Sequence, residues 1–227
     1  MRRDMEQRAQ RIVGVTDVLF TDLERIAATT APALAGGTDA EALAALTEPQ
    51  VFAHLEAHPL AVGAGMAVAP EAAGLGPLGT MVWWRRAGDE VRRKQHVDNP
   101  ASDSYYDFAQ SRWFRTAVQT RQRTLIAPFV DSWGTDDLTM VAAVPVVVDD
   151  VVLGVVAADL VVRTWLAAVD DLLDPMSREL LLDAEDRVVA SSDPTIELSV
   201  RLRALEDARV ERRVAVGASG WALVHLA

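Results

Sequence analysis

The chain has 227 residues, half of them hydrophobic, which is enough for one domain with a substantial core or one domain with a small appendage. Its net charge of −11 excludes a nucleic-acid-binding surface, which needs clustered Lys and Arg, and the short runs Arg85-Arg86 and Arg92-Arg93-Lys94 read as solvated positions. The absence of cysteine excludes disulfides, thiolate metal sites, iron–sulfur clusters and a cysteine nucleophile.

In chain order, Ile12, Val15, Leu19, Leu23 and Ile26 recur at helical spacing and predict one long amphipathic helix. Its apolar stripe serves either to pack on the domain or to pair with a second copy in a homodimer. Gly36-Gly37 ends it, and Thr38-Asp39 caps a second helix from Ala40 to His58, which Pro49 should break into two pieces. Strands are predicted over Ala61–Val68, Met81–Arg86 and Glu90–Gln95. Trp83 and Trp84 fall on opposite faces, one toward the core and the other toward a pocket or solvent. A loop over His96–Ser104, a helix over Phe108–Thr120 and a short strand over Leu125–Val130 follow.

Two valine-rich runs, Thr139–Val148 and Val151–Leu160, joined by Asp149-Asp150, predict a tight hairpin of central strands covered on both sides. Thr164–Leu173 reads as a helix. The tail reads as a hairpin over Arg178–Ser191, a helix over Thr195–Leu205 and a second hairpin over Val210–Leu226. The organisation is therefore N-terminal helices over 1–58, a ligand-binding module over 59–174 and a small α+β module over 175–227. No apolar run approaches the roughly twenty nearly uncharged residues a transmembrane helix needs. The N-terminus lacks the pattern of a signal peptide, so the chain as given reads as cytoplasmic, or as extracytoplasmic if trimmed from a receptor.

The chemistry concentrates between Tyr105 and Leu160, where both tyrosines and two of the six tryptophans lie beside acids. Aromatic faces with a carboxylate suit a small cationic ligand. Asp159 stands in a strand otherwise built of Val, Ala and Leu, where a carboxylate needs a partner. Trp113 reads equally as core packing, and Asp131 equally as the cap of the 132–137 turn. Trp133 is a lid or a surface aromatic, and Asp136 and Asp137 are loop acids. His54 and His58 share a helical face, but Glu56 stands one residue too late for a zinc protease and two ligands alone make no metal site. Gly217 to Gly220 is a hairpin turn, not a nucleophile elbow, and no phosphate-cradling glycine motif is present. No cofactor and no catalytic residue are expected, and the reading is of a binding module rather than an enzyme.

Tyr106 followed seven and eight residues later by Trp113-Phe114, then Pro128-Phe129-Val130-Asp131, Val141-Ala142-Ala143-Val144-Pro145-Val146 and Gly154-Val155-Val156-Ala157-Ala158-Asp159, resembles the Cache family. These are PAS-like ligand-sensing domains of bacterial chemoreceptors and sensor kinases, here of the double-Cache type 1 pattern. The resemblance implies an α+β fold with a central antiparallel sheet, a long N-terminal helix and a small C-terminal α+β appendage. It implies that Tyr106, Asp131 and Asp159 hold a ligand ammonium, with Trp113, Phe114 and Phe129 as pocket wall. Amino-acid-binding members carry an arginine where this chain has Ser111, and the neighbouring Arg112 is turned about 100 degrees away along a helix. The expected ligand is thus an amine or amino acid, with the lean toward the amine. The alternative is a dimerisation or docking module with a vestigial pocket.

Overall fold

In the computed structural model, residues 2–70, 72–130, 138–206, 208–217 and 219–227 are described. The chain divides into two compact units, Leu19–Val161 and a second made of Met1–Val18 with Val162–Ala227. Helix α1 (Arg2–Ala35) runs through both segments, and its stripe residues Ile12, Leu19, Leu23 and Ile26 are all buried inside the chain. Val15 of the same stripe is half-buried, and Val18 beside it is exposed.

Within Leu19–Val161, α2 (Ala40–Ala57) starts where Asp39 accepts a hydrogen bond from the Ala42 amide at 2.8 Å. It is a single helix, and the break expected at Pro49 is absent. On either side of the proline, Thr47 donates its hydroxyl to the Leu43 carbonyl and Gln50 its amide to the Leu46 carbonyl. Six strands follow: β1 (Ala61–Val68), β2 (Thr80–Ala87), β3 (Glu90–Lys94), β4 (Thr124–Val130), β5 (Leu138–Val148) and β6 (Val151–Val161). They form an antiparallel sheet in the order β3-β2-β1-β6-β5-β4. The long hairpin turns at Asp149 and Asp150 with φ of 46° and 70°, the paired left-handed residues that match strand twist. Both of its strands are interior to the sheet, as their unbroken apolar runs require.

The segment expected as one helix over Phe108–Thr120 is a 3-10 turn (Phe108–Gln110) followed by α3 (Arg112–Thr120). Ser111 breaks it: its hydroxyl donates to the Phe108 carbonyl at 2.6 Å and accepts from the Phe114 amide, which caps α3. α2 packs on one side of β1 and β2, and α3 packs on β4, β5 and β6. On the α3 side, Met81, Trp83, Phe108, Trp113, Phe114, Ile126, Val141 and Ala157 form one apolar cluster. Trp84 points the other way and donates to Glu48 on α2 at 3.2 Å.

The other unit carries α4 (Val162–Asp170) and strands β7 (Arg178–Leu182), β8 (Val188–Ser191), β9 (Val210–Val216) and β10 (Trp221–Leu226). They pair in the order β8-β7-β10-β9. Asp183 accepts from the Glu185 and Arg187 amides and so builds the first hairpin turn. Trp165 of α4 meets Trp221 edge-on at 5.6 Å. The helix expected over Thr195–Leu205 is absent apart from a 3-10 turn at Leu202–Ala204. The segment instead pairs its backbone with β8, where Ser199 donates to Val188 O and Val188 donates to Val200 O. That leaves Ile196, Leu202 and Leu205 to cover the sheet's apolar face.

Candidate functional site

Strand alternation aims every second residue of β1, β2, β5 and β6 at α3. The register sets Gly63 of β1 opposite Asp159 of β6, with Val141 of β5 on its other side. Gly65 lies opposite Trp83. The missing side chains matter here. A Cβ on Gly63 would lie 3.0 Å from Trp83 Nε1 and 3.2 Å from Asp159 Oδ2, so a bare backbone lets the indole and the carboxylate approach the same spot.

The residues that line the resulting pocket are Met81, Trp83, Tyr106, Trp113, Phe129, Val141 and Asp159. Asp159 is 8% exposed and Trp113 is 4% exposed. The Trp113 indole N–H donates to the Tyr106 hydroxyl at 3.0 Å, and the Trp83 and Trp113 rings lie 6.2 Å apart at 44°. His96 braces the tyrosine from behind, with Nε2 3.1 Å from the Tyr106 carbonyl. Trp83 Nε1 is buried with no hydrogen-bond partner among the described residues, which leaves one donor available for a ligand oxygen. The cavity itself is about 10 Å3, the space of a single water.

The structure thus brings together four residues singled out in the sequence, Tyr106, Trp113, Phe129 and Asp159. Phe114 stands one layer back, edge-on to Phe108 at 5.3 Å and to Trp113 at 5.7 Å. Arg112 occupies the first turn of α3 on an exposed face, outside the pocket lining. Ser111 is spent as the α3 cap. Asp131, Trp133, Asp136 and Asp137 lie outside the described residues. Met81 and Val141 carry no signal of their own as site residues in the sequence. The Trp83-Trp84 pair does, and only the strand register says which of the two faces α3.

No protein-family model matches the sequence, and no curated protein matches it. Solved structures do match. The ligand-binding domain of the Pseudomonas aeruginosa PAO1 amino acid chemoreceptor PctB, in complex with L-Arg, aligns over 99% of this chain and 92% of that one, at TM-score 0.66 and 14% identity. The extracellular domain of mmHK1S-Z2, described as a histidine kinase, aligns over 98% and 93%, at TM-score 0.70 and 10% identity. This is the Cache fold.

A third Cache-fold structure, the ligand-binding domain of the P. aeruginosa PAO1 chemoreceptor PctC in complex with GABA, aligns over 97% and 96%, at TM-score 0.61 and 17% identity. At such identities the likeness establishes the Cache architecture, and the pocket's own residues must argue its chemistry. In this Cache fold the polar groups offered are a carboxylate, a phenol and an indole N–H, all set among aromatic rings. A carboxylate among aromatic faces is a set that suits a cation.

Proposed function

We propose that the protein is a sensory domain that binds a small molecule carrying an ammonium group, an amine or an amino acid, and signals by changing conformation. The observation that carries this reading is the convergence of the buried Asp159 carboxylate with Tyr106, Trp113, Phe129 and Trp83 in one cavity. A cation desolvated against an aromatic face gains about 0.5–2 kcal/mol in addition to its attraction to the carboxylate. The ligands named for PctB and PctC, L-Arg and GABA, both carry an amino group, which supports the same class.

A 10 Å3 cavity does not hold an amine, so the walls must part on binding. Phe129 is the wall best placed to move, because it sits on edge strand β4 beside the irregularity at Ile126/Phe129. The ligand then favours an open arrangement over the closed one, and that difference in affinity is the signal. The extracellular neighbour supports a position outside the cytoplasm. Protease added to intact cells would reach the native protein there and spare it inside.

The same small cavity also favours a second reading, a docking module whose pocket is vestigial. One titration separates them. Melting temperature is followed against a panel of amines and amino acids, and a ligand raises stability by RT ln(1 + [L]/Kd), about 2.7 kcal/mol at 100 times Kd. A saturable rise that Asp159→Asn abolishes supports the sensor. No rise with any cationic compound leaves the docking module.

A further inference from the structure

His54 stands in the last turn of α2 and His58 is the residue that caps its C-terminus, and their ring centroids lie 4.7 Å apart. Asp22 of α1 meets them. Its Oδ2 lies 2.8 Å from His58 Nε2 and 3.8 Å from His54 Nδ1. Its other oxygen accepts from Arg25 at 3.2 Å, which fixes the carboxylate's orientation and leaves Oδ2 to the imidazoles. One donor atom from each of the three residues lies within 4.8 Å of the other two. Donors bound to a tetrahedral Zn2+ at roughly 2.0–2.2 Å stand about 3.3–3.6 Å from one another. The two separations from Oδ2 bracket that spacing.

A second observation points to a ligand. His54 is fully buried, yet neither of its ring nitrogens has a hydrogen-bond partner among the described residues. A buried polar group left so costs about 1–3 kcal/mol, and a bound ion would give one of the two nitrogens a partner. His58 and Asp22 retain side-chain exposures of 11% and 26%, so an ion has a way in. Two nitrogens and one carboxylate oxygen suit zinc and its first-row neighbours, whereas Mg2+ and Ca2+ prefer all-oxygen sets.

We propose that Asp22, His54 and His58 bind one divalent transition-metal ion, with Zn2+ the best fit and a water completing the tetrahedron. The ion ties α1 to the C-terminal turn of α2, on the opposite side of β1 and β2 from the aromatic pocket. The second nitrogen of His54 has no outer acceptor, and such a brace is worth about 10–100-fold in affinity. The site is therefore weaker than a fully braced one and loads reversibly.

The test uses the full chain, stripped with a chelator and then equilibrated with ZnCl2 or CoCl2. The expected results are one ion bound per chain by elemental analysis, an intense visible Co2+ spectrum of the tetrahedral type, and a melting temperature that rises with metal. His58→Ala and Asp22→Asn should each weaken uptake at least tenfold while far-ultraviolet circular dichroism stays unchanged. Asp159→Asn should bind metal normally, which separates this site from the aromatic pocket. No stoichiometric uptake by the parent chain overturns the proposal. Uptake that both variants retain overturns it as well, since the ion would then sit elsewhere.

Discussion

Trp113 donates its indole N–H to the hydroxyl of Tyr106, seven residues earlier in the chain, at 3.0 Å. A straight helix would set residues seven apart two turns from each other along one face. The 3-10 turn at Phe108–Gln110 and the Ser111 cap bend the chain between them, and the two rings meet over the sheet instead. The tyrosine-to-tryptophan spacing thus has a physical cause: it closes a polar contact inside an aromatic wall.

Tyr106→Phe removes the acceptor and strands a buried indole N–H. The expected loss is about 1–3 kcal/mol. For a chain of this size that lowers the melting temperature by roughly 2–4 °C per kcal/mol, read by calorimetry. Trp113→Phe removes the donor as well as the bulk, so the double variant should lose less than the sum of the singles. Additive losses would mean that the bond contributes nothing.

Asp159→Asn keeps the shape of the pocket and removes its charge. The stabilisation of the parent chain by an amine or amino acid should vanish in this variant, with calorimetric titration as the direct measurement. A variant that still binds at the parent affinity would take Asp159 out of the site.

Gly63 and Gly65 should respond differently to alanine. A Cβ on Gly65 would stand 2.2 Å from the Val82 carbonyl oxygen and 2.8 Å from the Trp83 backbone, so β1 and β2 must separate. Gly65→Ala should cost at least about 1–3 kcal/mol in a denaturant melt. The Gly63 contacts are the Trp83 and Asp159 side chains at 3.0 and 3.2 Å, with the Trp84 carbonyl oxygen also at 3.2 Å. Gly63→Ala should therefore cost less stability and proportionally more ligand affinity.

Acid should destabilise the metal-free protein before its carboxylates titrate. Burial, reinforced by the nearby His58, lowers the His54 pKa from 6.5 to about 4. The unfolded chain takes up a proton near pH 6.5 and the folded protein only near 4, so the unfolded state binds more protons in between. Stability present above pH 6.5 is then lost as pH falls toward about 4, by up to about 3 kcal/mol. The carboxyl of Asp22 is raised by burial, but hydrogen bonds from His58 and Arg25 outweigh this and hold it below its usual range, so its loss comes at lower pH. Denaturant melts between pH 7 and pH 4 in chelator should show this slope in the parent chain and a shallower one in His54→Gln.

Local pattern made much of the fold readable. The Val-rich runs gave β5 and β6, and Gly36-Gly37 with Asp39 gave the boundary between α1 and α2. Three elements differ from the local pattern. Thr195–Leu205 has helical composition, yet its backbone partners sit on β8; Ser111 splits Phe108–Thr120 by capping α3; and Pro49 is carried inside α2. Hydrogen bonds outside the regular helix pattern overrode propensity in the first two.

By itself, the sequence determined the order of elements, the alternation that puts Asp159 on the face of its strand opposite Ala158, and the aromatic spacing from Tyr106 to Trp113. Tertiary structure alone decided that Trp83 rather than Trp84 joins that pocket, that Arg112 is exposed and not part of the pocket lining, and that Asp22 meets His54 and His58 across thirty-odd residues. The reason is physical. Periodicity specifies which residues share a face of one element, but strand register and helix packing choose which faces meet, and those choices rest on contacts far apart in the chain.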